Sequence, residues 1–305
     1  AGHHGVTLAI GIELGGTKVV VAGSASGATL IGRTRIATTT PDTTLTAIRR
    51  TVEQIGDGRD ITSIGIGAFG PVDIRPGSPT HGTIVRTPKA DWSGVDILEA
   101  MAGLTSGPIV VDTDVNAAML GEATYGAGSG GSAAYLTVGT GIGAGLWVDG
   151  ALVHGANHPE VGHLPMPRFA DDAYGGRCPY HGSCLEGMAS GPALADRLGA
   201  PVESLQSDAL DAAAQLAGRY VGIGVFALCT VLPVETVIIG GGVAHLPGFH
   251  ASVRRSAHDA ANGYPPVPFA GGGPSIVPPA LGDDAGVVGS VELGRSAMGS
   301  RSTSG

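Results

Sequence analysis

Gly11-Ile12-Glu13-Leu14-Gly15-Gly16-Thr17-Lys18 opens out of one apolar run, Val6–Ile12, and leads into another, Val19–Ala22. The pattern predicts strand, glycine turn, strand. Glycines bring backbone N–H groups close to an anion, and Thr17 and Lys18 add donors and charge. The stretch departs from a Walker loop. Its order is Gly-Thr-Lys rather than Gly-Lys-Ser/Thr, and a strand follows where a helix should open. Taken alone, an ordinary glycine hairpin is the alternative.

A second stretch has the same rhythm. Val138-Gly139-Thr140-Gly141-Ile142-Gly143-Ala144-Gly145 follows a predicted strand, Ala133–Val138, and precedes another, Leu146–Val148. It is a second phosphate-loop candidate, with a flat glycine strand as the alternative. Gly65-Ile66-Gly67-Ala68-Phe69-Gly70 matches G-x-G-x-x-G, but Pro71, Pro76 and Pro79 follow, so no helix opens to receive a pyrophosphate. A tight loop at a strand end is the reading there.

Working outward, the first block continues with strand Leu30–Ile36. A helix over Pro41–Ile55 follows, with Thr40 as N-cap and Leu45, Ile48, Val52 and Ile55 on one face. Then come strand Ile61–Ala68, a Pro- and Gly-rich loop over Phe69–Asp91, short helix Val95–Ala102, strand Ile109–Val111 and helix Val115–Tyr125. The second block continues with helices Leu185–Leu198 and Leu205–Leu232. Strand Val234–Ile239 runs into Gly240-Gly241-Gly242, followed by helix Phe249–Ala261, strand Ser275–Val277 and helix Asp284–Met298. Each block opens strand, glycine loop, strand and ends in alternating helix and strand. That implies an α/β fold of two similar lobes with a cleft between them.

Composition supports a folded chain. Among 305 residues there are 53 glycines and 20 prolines, close to a disordered composition, but 43% are hydrophobic and only 14% charged. A net charge of −9 argues against nucleic-acid binding. Three cysteines do not make a secreted disulfide framework. The longest apolar run, Tyr220–Leu232, ends at Pro233, short of a bilayer span. The amino terminus lacks a signal-peptide layout, and Ala1–Gly5 (AGHHG) reads as an expression remnant. A cytoplasmic protein with no membrane partner is the expectation.

Asp112-Thr113-Asp114-Val115-Asn116 falls where a strand ends and a helix begins, the place where α/β proteins put reactive groups. Asp114 is the candidate general base. Helix capping by Asp112 or Asp114 is the bland alternative. Between His154 and Ser183 lies an irregular insert. Within and just after it, Cys178-Pro179-Tyr180-His181-Gly182-Ser183-Cys184 sets Cys178, His181 and Cys184 at C-x2-H-x2-C, and His163 is a ready fourth ligand. Four such ligands describe a structural zinc site, with a Cys178–Cys184 disulfide as the alternative. Cys229, in an apolar helix, reads as core, and His245, His250 and His258 as surface. Glu160 and Glu186 flank the metal candidates and suit bidentate bonding to sugar hydroxyls, or are plain surface and helix-start charges.

Together these residues resemble the ROK family of bacterial sugar kinases, within the actin-like, hexokinase-type ATPase superfamily, over about Ile10 to Gly294. Gly282-Asp283-Asp284-Ala285-Gly286 is similar to the family's segment before the last helix. Three features point to the fructokinase branch: Glu13 in place of the wider superfamily's Asp, the Cys-x2-His-x2-Cys spacing, and Ser78-Pro79-Thr80-His81-Gly82 with Thr87-Pro88-Lys89 and Trp92. Lys89 stands where glucokinase-like members have a sugar-binding Asn.

The resemblance implies two actin-like (ribonuclease H-like) lobes with a cleft and a small zinc-containing insert. The expected division is 1–115 for the small lobe, with the last helix, 286–298, packing back on it. The large lobe takes 116–285, with the insert at 154–186, and 299–305 form a disordered tail. The implied reaction is transfer of the ATP γ-phosphoryl group, with Mg²⁺, to the primary hydroxyl of a hexose. D-fructose is favoured; mannose, glucose or an N-acetylhexosamine is the alternative, and a sugar-sensing regulator the rival class. Asp114 is placed as the base. Gly15, Gly16, Thr17, Lys18, Gly139, Thr140, Gly141, Gly240, Gly241 and Gly242 are placed at ATP, and Gly70, Pro71, Asp114, Asn116, Glu160, His163 and Glu186 at the sugar. Glu13 lies near magnesium without touching it. Lobe closure excludes water, and the family's habit is a homodimer.

Overall fold

The computed structural model describes residues 7–87, 89–204, 206–264 and 273–301. Pro88, part of the fructokinase-like loop, and Ala1–Gly5 lie outside them. The chain forms two units: 1–126 with 154–158 and 284–305, and 127–153 with 159–283.

The first unit holds a five-stranded sheet of β1 (Leu8–Leu14), β2 (Lys18–Ser24), β3 (Ile31–Ala37), β4 (Ile61–Ala68) and β5 (Ile109–Thr113), in the order β3-β2-β1-β4-β5. Hairpin strands β2 and β3 are antiparallel; β4 and β5 run parallel to β1. Alternation splits β1 cleanly. Leu8, Ile10, Ile12 and Leu14 join one core with Ile48, Val52 and Ile55 of α1 (Pro41–Gly56). Gly11 and its β4 neighbours Gly65 and Gly67 face the other way, against α8 (Ala285–Arg301) and α3 (Asp114–Tyr125).

Close approach explains that glycine face. A Cβ at Gly65 would collide with the Ser290 carbonyl oxygen and stand 2.6 Å from the Gly294 nitrogen; one at Gly67 would stand 2.7 Å from Ala117 Cβ. Helix backbone therefore lies directly on strand backbone. Gly65-Ile66-Gly67 is thus interior strand, within the expected Ile61–Ala68, and the chain leaves the sheet only at Phe69 and Gly70. The same packing keeps α3 whole within the first unit, so the division falls after Gly126 rather than between 115 and 116. Helix α8 carries through Gly299 to Arg301, where a disordered tail was expected; residues 302–305 lie outside the described ones.

The second unit repeats the topology. Its sheet is β6 (Ala133–Val138), β7 (Ile142–Val148), β8 (Ala151–Leu152), β9 (Thr236–Gly240) and β10 (Ser275–Val277), in the order β10-β9-β6-β7-β8. Again the central strand carries an antiparallel hairpin on one side and parallel strands on the other. The glycine run is therefore split: Gly139–Gly141 turn, while Gly143 and Gly145 are strand. The helix expected over Leu185–Leu198 is two, α4 (Leu185–Ala189) and α5 (Gly191–Leu198). They are broken at Ser190, whose hydroxyl accepts from the Ala193 N–H at 3.4 Å. Helix α6 (Ser207–Val231) has the length and apolarity of a membrane span, but 61% of its apolar window is buried within this unit. Tyr220, Val221, Val225 and Leu228 join its core, against α7 (Phe249–Ala261) and the sheet.

Candidate functional site

In the first unit, the carboxyl ends of three parallel strands line up: Leu14, Ala68 and Thr113 are in register across β1, β4 and β5. The residues that follow them are candidates from the sequence: Gly15–Lys18 after β1, Gly70 and Pro71 after β4, and Asp114 after β5. Gly15 closes the β1–β2 turn, its N–H donating to the Lys18 carbonyl at 3.0 Å, and the Thr38 hydroxyl donates to the Gly15 carbonyl at 2.8 Å. Thr17 and Lys18 are exposed, and Gly16 has open space beside it. Glu13, half-buried, points at α8; a Cβ at Gly286 would stand 2.5 Å from its carboxyl carbon. The absence of a side chain at 286 makes room for that carboxylate.

Thr113 caps α3, its hydroxyl accepting from the Asn116 N–H at 3.1 Å. Neither aspartate takes the capping position. Asp114 is the first helical residue, half-buried, with its Oδ1 accepting from the Val115 N–H at 2.9 Å. A helix amino terminus stabilises a carboxylate there. Asn116, placed at the sugar by the resemblance, is wholly buried, and its amide donates to Asp112 Oδ1 at 2.6 Å.

Asp112 is the residue that sequence reasoning undervalued. It is buried, its Oδ1 also accepts from the Thr113 N–H at 2.7 Å, and its Oδ2 lies 2.6 Å from His154 Nε2. That bond raises the His154 pKa above 6.5, against the opposing pull of partial burial. His154 lies 42 residues away with no spacing signal to Asp112, so only the fold reveals the pair. Nearby, the loop after β4 is pinned by buried Asp73. It accepts from Arg75, from the Ser78 hydroxyl at 2.6 Å and from the Thr80 hydroxyl at 2.7 Å. Arg75 first, then Ser78 and Thr80, hold its carboxyl far below the usual carboxylate range. Lys89 sets its ammonium 6.0 Å from the Phe69 ring centre.

In the second unit, the glycine turns after β6 and β9 converge. Thr137 and Gly240 are in register, and a Cβ on Gly139 would stand 3.8 Å from the Gly242 nitrogen. Gly241 has φ 92°, where a side chain would strain the backbone and stand 2.5 Å from the Val138 carbonyl oxygen. The Gly191 N–H at the start of α5 donates to the Gly139 carbonyl at 2.7 Å. Thr140 lies between Gly139 and Gly141 in the first turn. Glu186 closes the same corner: its Oε2 accepts from the Ile142 N–H at 3.0 Å. His250, expected at the surface, is half-buried beneath β9, its Nε2 3.2 Å from the Ile239 carbonyl oxygen, and burial lowers its pKa.

The metal-ligand residues come together. The donor atoms of His163, Cys178, His181 and Cys184 all lie within 4.8 Å of one another. His163 Nδ1 stands 3.6 Å from Cys184 Sγ and 3.8 Å from Cys178 Sγ; His181 Nδ1 stands 3.7 Å from Cys178 Sγ. Zinc bonds of about 2.3 Å to sulfur and about 2.05 Å to nitrogen at tetrahedral angles put S and N about 3.6 Å apart. The four donors fit that ion. Cys178, Cys184 and Cys229 are unpaired in this structure. Burial pushes the Cys184 thiol up to about 11, so a metal must displace its proton. The insert is anchored elsewhere by a nearly buried ion pair, Arg197 to Asp172 at 2.6 Å, with the Tyr220 hydroxyl donating to the same carboxylate oxygen at 2.6 Å. Glu160 is exposed, three residues before His163, whose N–H donates to the Glu160 carbonyl at 3.0 Å.

A family model described as "ROK family" matches residues 9–297. A putative fructokinase from Bacillus subtilis is 39% identical over 298 residues, covering 97% of this chain and 98% of that protein. A fructokinase from Zymomonas mobilis is 37% identical over 94% of this chain and 96% of its own length. Among solved structures, a ROK family glucokinase from Streptomyces griseus in complex with glucose and AMPPNP is 26% identical. It has a TM-score of 0.76 and covers 95% of this chain and 99% of that one.

Proposed function

The chain belongs to the ROK family, and from that premise we propose that it is a fructokinase: an ATP-dependent hexose kinase forming D-fructose 6-phosphate. One observation carries the reading: similarity to fructokinases runs the length of the chain. The position of Asp114 at a strand-to-helix step is consistent with it.

Asp114 accepts the proton of the sugar's primary hydroxyl as its oxygen attacks the γ-phosphorus; the new P–O bond forms as the bond to ADP breaks. Phosphoryl transfer has a loose transition state, so positioning and charge stabilisation supply most of the catalysis. Exposed Thr17 and Lys18 and the glycine turns Gly15–Gly16, Gly139–Gly141 and Gly240–Gly242 are assigned to the nucleotide's phosphates and adenosine. Magnesium would neutralise phosphate charge, with Glu13 held nearby through Gly286. A zinc ion on His163, Cys178, His181 and Cys184 would be structural. His163 turns Nδ1 toward both sulfurs, which leaves Nε2 for a sugar hydroxyl. Glu186 commits Oε2 to the Ile142 N–H and keeps Oε1 for the same use. Glu160, Gly70 and Pro71 complete the sugar assignment. Asn116, wholly buried, acts through Asp112 instead. A cytoplasmic homodimer follows from the same resemblance.

The test is an ADP-release assay with MgATP and fructose, mannose, glucose or N-acetylmannosamine, run beside D114N. Turnover on fructose that D114N abolishes is the expected result. No turnover on any sugar, with ATP still bound, would overturn the assignment.

A further inference from the structure

We propose that His154 is a positioning residue for Asp114, acting through Asp112; the inference rests on the kinase reading above. The segment His154–His158 belongs to the first unit, although the residues on both sides of it belong to the second. It has no regular structure and is held by side chains. Asn157 accepts from the Ile74 N–H at 3.2 Å and donates to the Val72 carbonyl at 3.3 Å, and His154 meets Asp112 at 2.6 Å.

Both oxygens of Asp112 are committed. Oδ1 takes the Thr113 N–H and the Asn116 amide; Oδ2 takes His154. Asp112 thus grips the residue before Asp114 and the residue two after it. Asn116 Oδ1 is buried with no hydrogen-bond partner, so the bond from its amide to Asp112 is what fixes that side chain. Removing His154 leaves Asp112 Oδ2 buried without its donor, a costly state that the carboxylate escapes by rotating or admitting water. Either movement is passed to Thr113 and Asn116, and so to the first turn of α3. The His154 side chain is 41% exposed, so truncating it opens no core cavity. An effect on turnover would then be an effect on geometry.

The experiment uses full-length protein with zinc present, as H154A and H154Q. The Gln amide nitrogen can occupy the place of His Nε2 and keep a donor on Asp112. For H154A, kcat on fructose is expected to fall by about 10- to 100-fold, the scale of a misplaced reacting group. KM for fructose and MgATP should be little changed, and H154Q should recover most of the loss. In parallel, hydrogen exchange of the Asn116 side-chain amide, read by NMR, is expected to quicken in H154A and return to the wild-type rate in H154Q. Wild-type kcat in H154A, or H154Q as slow as H154A, would overturn the proposal. If the wild-type protein phosphorylates no hexose, the kinase reading falls. The amide exchange then decides the positioning on its own: faster exchange rescued by Gln upholds the grip on Asn116, and unchanged exchange refutes it.

Discussion

Replacing Cys184 with serine removes one of four donors while leaving the local backbone support intact. Cys184 also caps α4, its sulfur accepting from the Gly187 N–H at 3.4 Å, and serine is a strong N-cap. The substitution therefore isolates the metal. With free zinc about 1,000-fold above the dissociation constant, binding to the folded state alone contributes about 4 kcal/mol. For a unit of this size each kcal/mol moves Tm by about 2–4 °C, so the second unit should melt about 8–16 °C lower in C184S. Chelator should move the wild type by the same amount and C184S hardly at all. The assay is calorimetry with and without chelator, beside elemental analysis of metal per chain. A wild-type protein grown in zinc that carries none, or equal Tm for wild type and C184S in excess zinc, would refute the reasoning. Equal loss in H181A is not expected, because His181 is exposed while Cys184 is buried.

D114N should lower kcat by about 10²- to 10⁴-fold, the usual worth of a general base, with zinc content and Tm unchanged; steady-state kinetics and calorimetry check it. G65A should destabilise the first unit by about 3 kcal/mol, because both clashing groups are α8 backbone and overpacking of that kind is poorly relieved; denaturant unfolding measures it. The His154–Asp112 bond raises the histidine pKa above 6.5, so its charge stabilises fully below about pH 6.5 and the benefit is lost as pH rises through the higher folded value. The Tm gap between wild type and H154Q should accordingly be wider at pH 6 than at pH 9, and an equal gap would contradict the pairing.

The topology was legible because it is written in local patterns. An apolar strand, a glycine turn and a second strand occur twice, and each pair became the centre of a five-stranded sheet. The metal-ligand cluster was legible too, because three of its members lie within seven residues and ligand spacing is a short-range signal. Asp114 was proposed as the base from its place at the end of a strand, and the structure makes it the first residue of α3. The cap was misread: the sequence reading offered it to Asp112 or Asp114, and the backbone angles of that turn give it to Thr113.

What the sequence determined alone was the alternation of elements, the net acidic charge and the chemistry on hand at each turn. These depend on neighbours along the chain. The tertiary structure decided which face each glycine serves. Gly65 and Gly67 fall within an expected strand, but only α8, more than 200 residues on and laid against them, shows why neither carries a side chain. It also decided that Asp112 is a hub and that His154 belongs to it. Such contacts are set by the packing of one element on another, and nothing in the local spacing of residues encodes the distance between side chains 42 positions apart.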